Sequence, residues 1–112
     1  MEMKTRLVDK VNIVDIIGRF DANTVAPVAA WLEQMTTKPG CRVLVNLSET
    51  TFADSTGLAT LVQAMKRAQQ HQGEIYLCGM RRSVYMTFEL TRLDKAFTIF
   101  ADEEHALKAF AK

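Results

Sequence analysis

The sequence predicts an α/β fold in which a mixed β-sheet of about five strands carries four helices, in the order β-β-α-β-α-β-α-β-α. Short runs rich in β-branched residues alternate with segments whose apolar residues recur every three or four positions, as amphipathic helices require. A hairpin pattern precedes this alternation, so one antiparallel strand pair should join a mostly parallel sheet with right-handed crossovers. With 112 residues, of which 48% are hydrophobic and 24% charged, we expect one globular domain spanning residues 1–112.

The first two strands form the predicted hairpin. Residues 4–9 are short and mixed in character, which suggests an edge strand, and residues 11–18 are apolar and β-branched on both faces. Asp9 and Lys10 stand between these two segments and are expected to form the hairpin turn. We expect the chain to leave the sheet over residues 18–21.

The first helix is predicted to begin near Val25, because the apolar residues that follow share one helical face. Asn23 or Thr24 can cap its start, and Pro27 falls in the first turn, where its missing N–H leaves no hydrogen bond unmade. The Lys-Pro-Gly segment at residues 38–40 is expected to end the helix.

The middle of the chain is predicted to form a strand, a loop, a helix and a second strand. Residues 42–47 are apolar on both faces and should therefore form a central strand. A loop over residues 48–53 leads to a helix over residues 55–71, and residues 74–79 form the next strand. Functional side chains in such sheets favour the carboxyl ends of strands, which directs attention to residues 48–58.

The last third of the chain predicts a short helix, a strand and a final helix. The short helix begins near Ser83, with Val84, Phe88 and Leu90 as its apolar positions. Residues 97–100 alternate like a half-exposed strand. The final helix opens with acidic residues and ends in lysines, which matches the helix macrodipole at both ends.

Composition and charge exclude several classes of function. The chain carries 14 basic and 13 acidic side chains, a net charge of +1, without the clustered positive surface that nucleic-acid binding requires. No apolar run approaches the roughly 20 residues of a membrane span. Residues 1–6 lack the apolar stretch of a signal peptide. We therefore expect a cytoplasmic protein that contacts neither nucleic acid nor membrane directly.

The cysteines and histidines give no metal-binding or redox pattern. Cys41 and Cys78 are too far apart for a metal knuckle or a redox pair, and their apolar surroundings favour buried free thiols. His71 and His105 have no cysteine or second histidine at ligand spacing. We expect neither a metal ion nor a cofactor.

The densest group of polar residues stands where the second helix is predicted to begin, at Asp54, Ser55, Thr56 and Gly57. A helix N-terminus has unpaired N–H groups and a positive dipole end, so it tolerates an added phosphate. Gly57 is a poor helix former, and its missing side chain would let another protein approach the neighbouring hydroxyls. On spacing alone, the simplest interpretation is that Asp54 or Ser55 is the N-cap.

The segment Phe52–Ala59 resembles the phosphorylation loop of bacterial anti-sigma factor antagonists, which are small STAS proteins with an Asp-Ser-Ser-Gly or Asp-Ser-Thr-Gly sequence after a central strand. The resemblance covers nearly the whole chain and implies a STAS-like fold. Further matching segments are 18–21, 43–47, 73–79, 88–93 and 97–100.

This resemblance implies that the protein acts by partner switching. The unphosphorylated antagonist would bind an anti-sigma factor that is also a serine kinase and so release a sigma factor. The kinase would phosphorylate Ser55, with Thr56 as a minor candidate, and the complex would dissociate. A serine phosphatase of the metal-dependent type would restore binding.

The same resemblance suggests a partner-binding surface formed by Asp21, Asp54, Ser55, Thr56 and Gly57. Two of these residues keep alternative roles. Asp54 can cap the second helix, or it can orient the serine hydroxyl or meet a cation in the kinase site. Asp21 can contact the partner or simply shape its own turn.

Two other classes of function compete with this interpretation. An enzyme would need a base beside Ser55 or Thr56, and the sequence has neither an adjacent histidine nor a Gly-x-Ser-x-Gly motif around them. We therefore expect no catalytic activity. The second alternative is a STAS subunit of a lipid-transport or stressosome-like complex, which would keep a fixed partner without phosphorylation.

Overall fold

The computed structural model of the protein describes residues 1–111, which form a six-stranded sheet and four helices. The strands are β1 (Glu2–Val8), β2 (Val11–Phe20), β3 (Arg42–Asn46), β4 (Thr50–Ala53), β5 (Glu74–Cys78) and β6 (Thr98–Phe100). The helices are α1 (Ala26–Thr36), α2 (Ser55–Gln70), α3 (Arg82–Leu90) and α4 (Glu103–Phe110). Within residues 1–111, no helix combines the length and apolar character needed to cross a bilayer.

Strand pairing produces the mixed sheet that the sequence predicts. β1 pairs antiparallel with β2, and the turn residues Asp9 and Lys10 have φ values of 51° and 68°, as a tight two-residue hairpin needs. The other neighbouring strands are parallel, and the order is β1-β2-β3-β5-β6 with β4 beside β2. The carboxyl ends of the parallel strands therefore lie at one edge of the sheet.

The two faces of the sheet are covered by different helices. α1, α2 and α3 pack on one face, over a core that includes Phe20, Val43 and Phe88. α4 covers the other face, where Phe110 packs in a smaller core with Leu44. Because consecutive residues of β3 enter both cores, β3 is the buried central strand that its apolar sequence predicts.

β4 is the one strand that the sequence analysis missed, since it lies inside the predicted loop over residues 48–53. Gly18 has φ 93°, and the pairing of β2 shifts register between Gly18 and Arg19, so β2 continues to Phe20 beside β4. The buried Thr50 hydroxyl donates to the Ile16 carbonyl at 2.7 Å. Such a short strand is stabilised by a distant partner, so its own sequence gives little signal.

The predicted cap of α1 is wrong. The N-cap is Val25, which makes no side-chain capping bond, whereas Asn23 and Thr24 were the predicted candidates. The Thr24 hydroxyl instead accepts a hydrogen bond from the N–H of Asp21 at 2.9 Å, which stabilises the preceding turn. Pro27 does lie in the first turn, as predicted.

Leu90 is a second correction. Val84 and Phe88 are buried on the core side of α3, whereas Leu90 is 82% exposed. Two positions along an α-helix correspond to a rotation of about 200°, so Leu90 and Phe88 point to opposite sides. The last turn of α3 therefore presents a large apolar side chain to solvent.

Both cysteines are buried free thiols, as predicted. Burial raises the pKa of the Cys78 thiol to about 12, and the nearby carboxylates of Glu103 and Asp15 act in the same direction. Burial also raises the pKa of Cys41. These thiols are therefore protonated at neutral pH and are poor nucleophiles. Among residues 1–111, no cluster of histidine, cysteine and acidic side chains is arranged to hold a metal ion.

Candidate functional site

The junction between β4 and α2 is organised by the Asp54 carboxylate. Asp54 has extended backbone angles and is the N-cap of α2, where its Oδ1 accepts a hydrogen bond from the N–H of Gly57 at 2.9 Å. Its Oδ2 accepts from the N–H of Ala22 at 3.1 Å. Of the two roles left open by the sequence, the structure therefore shows the cap, with each carboxylate oxygen bound to a backbone donor.

The turn after β2 and the start of α2 lie side by side. The N–H of Asp54 donates to the Phe20 carbonyl at 3.3 Å, beside the bond from Ala22 to the Asp54 carboxylate. Both segments follow strands that run in parallel, so the sheet brings them to the same edge. The structure thus brings together two segments that are more than thirty residues apart in sequence.

Asp21 is held within its own turn. Its carboxylate accepts hydrogen bonds from the N–H of Asn23 at 3.0 Å and from Nε of Arg19 at 3.2 Å. Desolvation works to raise the pKa of Asp21, but the bonds from Asn23, Arg19 and Thr24 outweigh it and lower that pKa. Asp21 therefore has the turn-shaping role that was one of its two predicted roles.

Gly57 is buried in the first turn of α2. A Cβ atom at this position would lie 2.6 Å from the carbonyl oxygen of Phe20 and 2.9 Å from Cδ2 of the same residue. The missing side chain lets α2 approach the end of β2 closely. This corrects the expectation that Gly57 leaves room for another protein, because Phe20 already occupies that space.

Ser55 and Thr56 occupy the first two positions of α2, and both are exposed. The first turn of α2 contains no acidic residue. The N-terminal end of the helix, with its positive dipole, therefore carries two accessible hydroxyl side chains. Leu58, the next residue after Gly57, is buried and fixes this turn to the core.

Neither histidine lies where it could activate these hydroxyls. His71 is the C-cap of α2, and the 16 residues of that helix separate it from Ser55 by about 24 Å. His105 lies on α4, which packs on the other face of the sheet, and its Nδ1 is 2.7 Å from a carboxylate oxygen of Asp102. The two exposed hydroxyl groups therefore have neither histidine of the chain beside them.

The sequence analysis did not identify the contact between Phe52 and Arg19 beside this site. The two residues are partners in the pairing of β4 with β2, and the Arg19 guanidinium carbon lies 4.2 Å from the centre of the Phe52 ring. Phe52 is 40% exposed. Exposed aromatic and arginine side chains are typical of protein-binding surfaces. Finding this pair from the sequence would have required knowing that β4 exists.

Comparison with known proteins identifies the family. The sequence matches the model of the STAS domain over residues 2–106. The chain belongs to the STAS domain family. A similar curated relative is the anti-sigma-B factor antagonist of Listeria monocytogenes, which is 34% identical over 99 residues, covering 88% of this chain and 86% of the relative. The predicted resemblance to anti-sigma factor antagonists is therefore confirmed.

Solved structures show the same STAS fold. An anti-sigma-factor antagonist domain protein of Planctomyces limnophilus superposes with a TM-score of 0.89 at 22% identity, covering 98% of both chains. The Bacillus cell-fate determinant SpoIIAA in its phosphorylated form superposes with a TM-score of 0.74 at 17% identity, covering 97% of this chain and 99% of that one. The predicted mixed α/β architecture is thus confirmed, with β4 added.

Proposed function

We propose that this STAS protein is an anti-sigma factor antagonist that acts by partner switching. Unphosphorylated, it binds an anti-sigma factor that is also a serine kinase, which frees a sigma factor for transcription. Phosphorylation of Ser55 ends this complex, and a metal-dependent serine phosphatase restores the binding form. The observation that carries the proposal is the exposure of Ser55, within an Asp-Ser-Thr-Gly sequence, in the first turn of α2.

The position of Ser55 allows phosphorylation without unfolding. The residue is exposed, so a kinase can reach its hydroxyl in the folded protein. The positive end of the helix dipole stabilises a negative group here, and the nearest acidic residue in sequence, Asp54, is the N-cap that precedes the first turn of α2. The phosphorylated protein therefore keeps the fold and changes only its surface.

The same modification opposes binding. A phosphate adds about −1.5 to −2 charges beside the Asp54 carboxylate. In a close interface, both groups would lose water while repelling each other, and each 1.4 kcal/mol of that cost weakens affinity about tenfold. A local charge change is thereby sufficient to separate the two proteins.

The proposed contact surface consists of Ser55 and Thr56 together with the adjoining turn around Asp21. Asp54 supports this surface by joining the turn to α2 through its bonds to Ala22 and Gly57. Gly57 supports the contact surface without being exposed itself. Its close packing on Phe20 holds the first turn of α2, with its two hydroxyl residues, against the end of β2. In this arrangement the protein acts by binding and not by catalysis.

Phosphopeptide mapping tests the proposal. Incubation with ATP and the anti-sigma factor kinase from the same genome is expected to add one phosphate, on Ser55. Ser55→Ala should abolish the labelling, and Thr56→Ala, which changes the neighbouring exposed hydroxyl, should retain it. Full labelling of Ser55→Ala would overturn the proposed site. Stable binding to a partner with no labelling at all would favour the fixed-partner alternative.

A further inference from the structure

An open groove runs along α2 from the proposed phosphorylation site. It has a volume of about 420 Å³ and lies between α2 and the turn that follows α3. Leu58, Val62 and Leu93 form its apolar floor, which is continuous with the main core. Ser55 lies at one end, and we call this feature the α2 groove.

The groove follows one side of α2. Ser55, Ala59, Gln63 and Lys66 line it at intervals of three or four residues, and all four are exposed. The eleven residue-to-residue steps from Ser55 to Lys66 correspond to about 16 Å, or three helical turns. The groove is therefore long enough for a short helix or an extended segment of another protein.

One exposed apolar side chain lies next to this groove. Leu90, the last residue of α3, is 82% exposed. Leu90 directly precedes Thr91, which lines the groove. A partner seated in the groove could therefore also cover Leu90 and remove its apolar surface from water.

We propose that the α2 groove holds an apolar segment of the anti-sigma factor, with an acidic side chain of that partner at Lys66. This inference rests on the proposed function. The kinase must bring its bound ATP to the Ser55 hydroxyl, and Ser55 is itself part of the groove wall, so the same protein covers the groove's end. Lys66 takes part in no salt bridge within residues 1–111, which leaves its charge available.

The groove supplies a contact that is independent of the phosphate. Covering its apolar floor contributes affinity in the unphosphorylated complex. Phosphorylation then places a charged group at the end of that same apolar contact, where it would have to be desolvated. The groove thus contributes affinity to the unphosphorylated complex, and phosphorylation of Ser55 opposes binding of the same partner.

Titration calorimetry with the unphosphorylated protein and the anti-sigma factor kinase from the same genome tests the inference. Ala59→Glu places a carboxylate in the groove, and Lys66→Glu reverses the charge at its far end. Each should weaken binding at least about tenfold. Ala30→Glu, at an exposed alanine of α1, is the matched control and should bind like the unchanged protein. Melting temperatures establish that all three variants are folded.

The possible failures are distinguishable. Unchanged affinity of both folded groove variants would overturn the groove inference and leave the proposed function intact. Equal weakening by Ala30→Glu would also overturn it. If the unchanged protein self-associates and Ala59→Glu abolishes this, the groove belongs to a second copy and the inference is wrong. If the unchanged protein binds no anti-sigma factor, the proposed function fails and the inference fails with it.

Discussion

The N-terminal ends of α2 and α4 are built on the same plan but carry different side chains. Each begins with an aspartate N-cap that accepts a hydrogen bond at 2.9 Å from the N–H three residues later, Gly57 for Asp54 and His105 for Asp102. The next two positions are Ser55 and Thr56 in α2, and the acidic residues 103–104 in α4. Two ends with the same cap therefore differ in charge.

The acidic end of α4 has a structural role. Glu103 accepts hydrogen bonds from the Arg6 guanidinium of β1 and from Nδ2 of Asn46 at 3.0 Å. Arg6 also binds Asp15 of β2, at 2.8 Å. The start of α4 is thus bonded to β1 and β3, with Arg6 also linking β1 to β2, whereas the hydroxyl residues at the start of α2 are exposed. The acidic residue at the start of α4 is therefore held by contacts within the protein, whereas the hydroxyl residues at the start of α2 remain accessible to solvent.

Substitution by alanine at the third position of each helix should give the largest difference between α2 and α4 in the free energy of unfolding. Gly57→Ala would place a methyl group 2.6 Å from the Phe20 carbonyl, so we expect destabilisation of about 2 kcal/mol even after the gain in helix propensity. His105→Ala, at the matching exposed position of α4, should have a much smaller effect. Urea unfolding of both variants measures the difference. Equal stabilities would show that α2 and β2 are not in close contact.

Lowering the pH should reduce the stability of the protein by protonating Glu103 at the start of α4. The hydrogen bonds from Arg6 lower the pKa of Glu103 below its ordinary value of 4.5, against the opposing effect of desolvation. Because the pKa of Glu103 is lower in the folded protein than in the unfolded chain, its charge stabilises the fold at pH values above the unfolded-state pKa of about 4.5. This stabilisation is lost as the pH falls from about 4.5 through the folded-state pKa.

Glu103→Gln tests this contribution. We expect a loss of about 1 kcal/mol at pH 7, because a partly exposed ion pair is removed. The difference from the unchanged protein should shrink as the pH falls below 4.5. Thermal unfolding between pH 3 and pH 7 measures it, and Glu104→Gln, at the neighbouring exposed carboxylate, is the control. A difference that is constant with pH would contradict the role given to the Glu103 charge.

A negative charge at the start of α2 should have the smallest effect on folding. Ser55→Asp adds a carboxylate at the start of α2, where the helix dipole attracts it and the Asp54 carboxylate repels it. Because these two effects oppose each other, the free energy of unfolding should change by less than about 0.5 kcal/mol. Affinity for the anti-sigma factor should nevertheless fall, because the charge lies in the proposed interface. Melting curves and calorimetry check the two parts, and Thr56→Asp shows whether the exact position matters. Strong destabilisation would contradict the tolerance for negative charge expected at the start of α2, and unchanged affinity would contradict its place in the proposed interface.

Sequence periodicity was sufficient to predict the helices and the strands of the main sheet. The parallel strands β3 and β5 are continuous apolar runs, and α2 has a clear apolar side with Leu58 and Leu61 in the core. β4 was not predicted, because it has four residues and is held by pairing with β2. Leu90 was predicted among the apolar positions of α3, but its place on that helix directs it to solvent.

The candidate site was predicted in part. The motif at residues 54–57 was found from its polar residues and from its resemblance to a known family. The bond between Asp54 and the turn at Ala22 was not predictable in detail, since it joins residues brought together only by the sheet. The reason for Gly57 was also misjudged, because Phe20 is distant in sequence and adjacent in space.

The sequence by itself determined the alternation of strands and helices and the exposed hydroxyl motif, because hydrophobic period and helix capping are local properties of the chain. Tertiary structure alone decided the pairing of β4, the packing of Gly57, the anchoring of α4 and the position of the α2 groove. Each of these depends on contacts between residues far apart in sequence, and their geometry exists only once the sheet has assembled.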